Sequence, residues 1–241
     1  MQRRDVVLGA LGGAAGVMLA RPAMAAETPA LSSAETPALS SAEGPPVPPS
    51  GTIGFKILRN GTPVGEQHLI FTQTGDELRV DINAAIVVRV MGVAVFHYSI
   101  AATEHWSGGA FVGVDSKGAF GGVPFEVHAN AIPGGFSIQS TKAGNYDYTG
   151  PQQMLPLTYW NKAMMGAMIL NIETGHHYPA TVTSPGWSRL ATAEGGTLLA
   201  QRFDMTGKLH QTVWYDQYGQ WDGLQFTLKG DSDMFFEKFV S

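Results

Sequence analysis

From Gly51 onward, apolar and polar residues alternate with a period close to two, the beat of extended strands that turn one face to a core. Ile53, Phe55 and Ile57 alternate with small or polar residues, and Asn60-Gly61 then supplies a hairpin-turn signal. A second strand runs to Thr74. After Gly75-Asp76, Leu78, Val80, Ile82, Ala84, Ile86, Val88 and Val90 share one face, opposite Glu77, Arg79, Asp81, Asn83 and Arg89. That run of about 13 residues predicts roughly 43 Å of strand. Val93 to Trp106 predicts a second strand of similar length, and an antiparallel pair so long must twist and curl. Shorter strands are predicted near 111–116, 123–131, 135–141, 178–184, 197–204, 208–216, 221–229 and 233–240.

Gly134-Gly135, Thr206-Gly207, Tyr218-Gly219 and Gly230-Asp231 sit between alternating runs, so consecutive strands are expected to be hairpin-connected. The exception is Thr158 to Leu170. Pro156 precedes a Thr158 N-cap candidate there, and the run carries alanine, methionine and leucine without alternation, which predicts one short helix. The expected fold is all-β: a single curved, mostly antiparallel meander sheet or half-barrel with that helix.

The N-terminal part follows different rules. Arg3-Arg4 precedes the moderately apolar run Val6 to Ala20, and Ala23-Met24-Ala25 follows as a small-residue cleavage site. Residues 1–25 therefore read as an export signal, and the paired arginines resemble the twin-arginine type, with a general secretory signal as the alternative route to the same compartment. The run of about 15 residues is shorter than the roughly 20 that cross a bilayer, and no later segment comes close, so no transmembrane segment is expected in the mature chain. Residues 27–42 repeat Glu-Thr-Pro-Ala-Leu-Ser-Ser-Ala, and Pro45, Pro46, Pro48 and Pro49 follow. Residues 26–50 are expected to be a disordered, partly polyproline spacer ahead of an all-β domain over 51–241.

Composition sharpens the picture. With 44% hydrophobic and 15% charged residues the chain can bury a full core, and 30 glycines with 14 prolines suit many turns between short strands. It contains no cysteine, which removes disulfides, thiolate nucleophiles and thiolate metal sites. Loss of Arg3, Arg4, Asp5 and Arg21 with the signal leaves 12 basic and 19 acidic residues, a formal charge of −7, so nucleic acid is not an expected partner. No cofactor is expected, because neither a phosphate-cradling glycine loop nor a dinucleotide fingerprint occurs, and Gly-x-Ser-x-Gly is absent too.

Candidate chemistry is sparse. Period two places Phe96, Tyr98, Ile100, Ala102, Glu104 and Trp106 on one face, a carboxylate amid an aromatic stripe. Burial there would raise the Glu104 pKa and suit it to acid work or to holding a polar head group; a strand-end position in solvent, or a pair with Arg89, would make it ordinary. Glu126, His128 and Asn130 share a face that is either a site or a solvated exterior. His176-His177 lacks ligand spacing, because adjacent residues of an extended segment point to opposite sides, and no metal is expected. Met164, Met165 and Met168, with Trp160 and Ile169, form either core packing or a pliable lid over a greasy cavity. The candidate ligand-binding set is Phe96, Tyr98, Glu104, Trp106, Trp160, Met164 and Met168.

Phe96-His97-Tyr98-Ser99-Ile100 with Glu104-His105-Trp106, Pro156 to Asn161, Asn171-Ile172-Glu173-Thr174-Gly175 and Trp214-Tyr215-Asp216 together resemble an exported bacterial family, the domain of unknown function numbered 6134. The strand order and the final Trp-Tyr-Asp-x-x-Gly hairpin are similar, more distantly, to periplasmic half-barrels of the lipoprotein-carrier type. That similarity implies a concave sheet closed by the 158–170 segment and lined by Phe96, Trp106 and Trp160. Three functions stay open: a periplasmic protein that binds or carries a lipid or other apolar small molecule, an envelope interaction protein with a solid core, and a hydrolase using Glu104 or His128. Pocket volume separates the first two, and convergence of polar groups in one cleft decides the third.

Overall fold

The alternation resolves into sixteen strands in the computed structural model, which describes residues 45–228 and 232–239. The first eight are β1 (Thr52–Arg59), β2 (Thr62–Thr74), β3 (Glu77–Val90), β4 (Val93–Ser107), β5 (Ala110–Phe120), β6 (Val123–Ile132), β7 (Gly135–Ser140) and β8 (Gly144–Tyr148). Three short strands follow, β9 (Met154–Pro156), β10 (Met168–Leu170) and β11 (His177–Pro179), with a 3-10 turn at Lys162–Gly166. The last five are β12 (Thr181–Ala191), β13 (Thr197–Thr206), β14 (Gln211–Tyr215), β15 (Trp221–Leu228) and β16 (Ser232–Lys238). The export signal and the spacer as far as residue 44 lie outside the described residues.

Thirteen strands build one antiparallel sheet in which each pairs with its sequence neighbour and β16 pairs with β1, giving the order β12 to β16 and then β1 to β8. The two ends of the domain therefore meet at adjacent strands. The sheet does not close, because its edge strands β8 and β12 do not pair with each other. Register follows the sequence alternation: Leu78, Val80, Ile82, Ala84 and Ile86 of β3 are buried opposite Trp106, Glu104, Ala102, Ile100 and Tyr98 of β4. Four two-residue turns, Asn60-Gly61, Met91-Gly92, Gly108-Gly109 and Gly121-Gly122, put both residues at positive φ, the geometry that matches the twist of the flanking strands.

The helix expected over Thr158 to Leu170 is absent. Five residues, Lys162–Gly166, make a 3-10 turn capped by Asn161, whose side chain accepts from the Ala163 amide, and Met168–Leu170 is extended. The reason is enclosure: residues 154–161 are all buried, so alanine, methionine and leucine mark a segment surrounded by protein rather than one face of a helix. β10 pairs in parallel with β9 and antiparallel with β11, and this small sheet is separate from the large one.

The crossover from Thr149 to Ala180 thus leaves one edge of the big sheet, fills its concave side and rejoins at the other edge. Leu155, Leu157, Trp160, Ile169, Leu170 and Ile172 belong to the same core cluster as the inward residues of β1 to β6 and β13 to β16. Proline-rich residues just before β1 also lie on the domain. Val47 packs against the core, Gln220 donates to the Pro46 carbonyl, and the Gly51 amide donates to Pro48.

Candidate functional site

The inward face of β4 and the crossover meet at a buried carboxyl. Trp106, two residues along β4, and Trp160, from the crossover, each donate an indole N–H to Glu104 Oε2 at 2.9 Å. The two indoles pack edge to face at 5.3 Å between ring centres, and Trp160 packs the same way on Phe71 at 5.1 Å. Glu104 is 0% exposed. Burial pushes its pKa up to about 7, against the opposing pull of hydrogen bonds from Thr158, Trp106 and Trp160. Oε1 closes no well-formed hydrogen bond, although the Thr158 hydroxyl stands beside the carboxyl.

A second polar node holds the far arm of the crossover. Tyr98 donates its hydroxyl to Glu173 Oε1 at 2.8 Å. Asn171 organises the turn that presents Glu173: its Oδ1 accepts from the amides of Glu173 and Thr174 at 2.9 and 3.0 Å, and Gly175 completes the turn at φ 72°. Nearby, Tyr159 donates to Gln211 Oε1 at 3.1 Å, and Tyr215 donates to the Tyr159 carbonyl at 2.7 Å. Burial, reinforced by the Glu173 charge, raises Tyr98 well above the ordinary phenol range, and burial also lifts Tyr178 to about 12. These phenols remain protonated donors. Their chemistry is structural, joining β4 and β14 to the crossover.

The seven residues nominated from sequence converge on this interior. Tyr98, Trp106, Trp160 and Met164 are buried in the core, Phe96 and Met168 are half-buried against it, and Glu104 is bonded to two of them. Phe96 packs edge to face on Phe120 at 5.0 Å. His128 lies elsewhere. It faces outward on β6, with Nδ1 at 2.6 Å from Asp115 Oδ1, and that aspartate raises its pKa. Glu104 and His128 therefore occupy opposite faces of the sheet and share no cleft. No trio of histidine and carboxylate side chains among the described residues is placed to hold a metal ion, and His177 instead packs on Tyr146 and Tyr148.

Sequence reasoning missed Asn171, Glu173 and Tyr159 as interior residues. The available signal was the Asn171-to-Gly175 run, which combines an Asx-turn former with a glycine four residues on. Between the crossover and the sheet, a cavity of 60 Å³ remains, lined by Gln67, Tyr98, Thr158, Tyr159, Asn171 and Glu173 with apolar neighbours. That space suits a small cluster of waters and falls far below the roughly 300–1,000 Å³ of small-molecule sites. Larger hollows of 750 and 720 Å³ open directly to solvent around the outward-facing His68, one beside Ile70 and the other beside Ala85.

Fold and site together define an open, curled antiparallel half-barrel whose hollow is stopped by its own crossover chain. The chain belongs to the family described as domain of unknown function DUF6134, whose model matches residues 55–238. Its fold is also similar to the crystal structure of a β-barrel-like protein of the domain of unknown function DUF1849 from Brucella abortus. The TM-score is 0.55 at 9% identity, covering 78% of this chain and 94% of that one. No curated protein matches the chain.

Proposed function

We propose that the protein is a non-enzymatic, exported envelope protein that acts through its outer surface, with a solid interior that sets the curvature of its sheet. One observation carries this reading: the concave side, where a carrier would hold an acyl chain, is occupied by residues 154–175 of the chain itself. The aromatic groups that would line a ligand are spent on each other, Trp106 on Trp160 and Trp160 on Phe71. The polar groups that would hold a head group are likewise engaged, Glu104 by two indoles and Tyr98 by Glu173. A hydrolase needs converging polar groups, and Glu104 and His128 lie on opposite faces of the sheet. The export signal expected over residues 1–25 supports the envelope as the place of action.

Titration of the purified protein with N-phenyl-1-naphthylamine, a dye that brightens in apolar cavities, tests the solid interior. The expected result is no saturable binding. Saturable micromolar binding that a fatty acid displaces would support the carrier instead.

A further inference from the structure

The β3–β4 hairpin runs past β5 and parts from β2, which continues along β1 to Thr62. β2 stops pairing with β3 at Gly65 opposite Ile86, and β5 stops pairing with β4 at Phe120 opposite Tyr98. Beyond that level the two strands form ladder pairs only with each other, from Val87–His97 to Val90–Val93, a two-stranded finger roughly 10–13 Å long whose base is tied to the β5–β6 turn by the Gly121 amide, which donates to the His97 carbonyl. Its sequence, Val87-Val88-Arg89-Val90-Met91-Gly92-Val93-Ala94-Val95-Phe96, holds one charge and no carboxylate. The tip is bare: Met91 is 100% exposed, Val93 66% and Val90 53%. Val123, the first residue of the adjacent β6, is exposed as well.

Folding alone does not explain this tip. The other three two-residue turns of the same geometry place Asn60, Gly108 or Gly121 at the first left-handed position, where those residues are at ease. The finger places Met91 there, at φ 49°, so an unfavourable backbone choice coincides with the most exposed apolar side chain. Isolated apolar residues on a surface are ordinary, but a cluster concentrated on a projecting tip marks a contact.

Charge identifies the partner. Consider the turns together with the last two residues of each flanking strand. Among the described residues, the finger's end of the sheet carries Arg59, Arg89, Lys142 and Lys208 against Asp233. The opposite end carries seven carboxylates, Asp76, Glu77, Glu194 and Asp216 among them, against Lys238. In a chain that is acidic overall, the finger's end of the sheet is thus net positive and the opposite end net negative, which orients the finger's end toward an anionic surface. The finger is narrow, its inner side rests on the core through Val88 and Phe96, and its tip is apolar and bare. A folded partner would need a deep groove to receive it, whereas a lipid interface takes it from any direction. The unpaired backbone edges of the finger limit the depth, since they need the water of the head-group layer.

We propose that the tip of the β3–β4 hairpin anchors the protein shallowly on an anionic lipid bilayer, with Val90, Met91 and Val93 at the head-group boundary and Arg89 among the lipid phosphates. This deepens the outer-surface reading above and rests on it. The test is co-flotation of the purified protein with vesicles of phosphatidylcholine alone or mixed with phosphatidylglycerol. Binding to the mixed vesicles that weakens with salt is expected. The double substitution Met91→Asn, Val93→Thr is expected to lower partitioning roughly tenfold, given the apolar area withdrawn from lipid. Arg89→Gln is expected to lower it roughly fivefold, about one surface charge. Trp187→Ser, which removes an exposed apolar side chain away from the finger, is expected to leave it unchanged. Near-UV circular dichroism confirms that each variant is folded; asparagine suits the left-handed position, so Met91→Asn keeps the turn. Equal partitioning of the finger variant and the parent, absence of binding to either vesicle, or a dimer that Met91→Asn dissolves would each overturn the anchor. None of those results touches the solid interior, which the dye titration tests on its own.

Discussion

Glu104 is buried inside an aromatic shell, and because that burial outweighs the two indole N–H donors that favour the carboxylate, its carboxyl takes a proton more readily in the folded chain than in the unfolded one. Its folded pKa of about 7 lies above the ordinary value of 4.5, so the folded state binds more protons between those limits. Stability from this group is greatest below pH 4.5, falls as pH rises through the interval and stays low above pH 7. The full difference is on the order of 3 kcal/mol. Glu104→Gln removes the titration while keeping an oxygen that accepts from the Trp106 and Trp160 indoles. The variant is expected to gain stability over the parent at pH 8 and to flatten the slope between pH 5 and 8 in urea unfolding. An unchanged slope would mean that the carboxyl does not carry the pH dependence.

This residue was legible in the sequence because a two-residue period places Glu104 on the same face as Tyr98 and Trp106, whatever the rest of the fold does. Its partner was half legible. Trp160 was nominated as apolar lining, but that it would reach the same oxygen as Trp106 depends on a contact between residues 56 positions apart, which no local pattern encodes. Glu173 was less visible still, since its neighbours Ile172 and Thr174 are buried with it and leave no alternation to read.

The long strands and the crossover differ in what local pattern can report. β3 and β4 face core on one side and solvent on the other, so their alternation survives nearly to the tip. β9 and β10 are enclosed, with Met154, Leu155, Pro156, Ile169 and Leu170 all buried and Met168 half-buried. A segment buried all round carries no period, and its composition imitates a helix. β8 was missed for a different reason: Gly144 to Tyr148 is a five-residue strand with only Tyr148 buried, too short and too polar to stand out.

The crossover is fastened to the sheet edge where Gly175 meets β7. Gly175 holds φ 72°, and a Cβ added there would strike the Ser140 side chain, whose hydroxyl bonds to the Thr174 carbonyl at 2.6 Å. The Gly175 carbonyl accepts from Tyr146 on β8 at 2.5 Å. Gly175→Ala is therefore expected to destabilise the domain by about 1–3 kcal/mol, combining an unfavourable backbone angle with a contact that must shift. Hydrogen exchange is expected to speed up in residues 168–180 before it does in β3 and β4. Uniform acceleration across the sheet would show that the crossover is not a separately fastened element.

At the scale of the whole molecule, the sheet order explains why a plug is needed. A meander of thirteen strands with β1 and β16 adjacent curls into a trough with free edges at β8 and β12, and the inward aromatic face must be covered. The connection between those two edges runs through the trough and covers that face with Leu155, Leu157, Trp160 and Ile169. Curvature and all-β class were readable from strand length and turn spacing. The contents of the trough were not, because whether a crossover lies inside or outside a sheet is decided by packing between distant segments. The separation of cations at the finger's end from carboxylates at the other likewise emerges only once the strand directions are known.

Native mass spectrometry of the protein purified from its native cells, read together with a lipid extract of the same sample, bears most directly on whether the trough is filled by the chain alone. A single species at the polypeptide mass, with no lipid retained in stoichiometric amount, is the expected result. A reproducible adduct of one acyl-chain lipid per molecule would mean that the crossover gives way to a cargo and that the interior is a binding site after all.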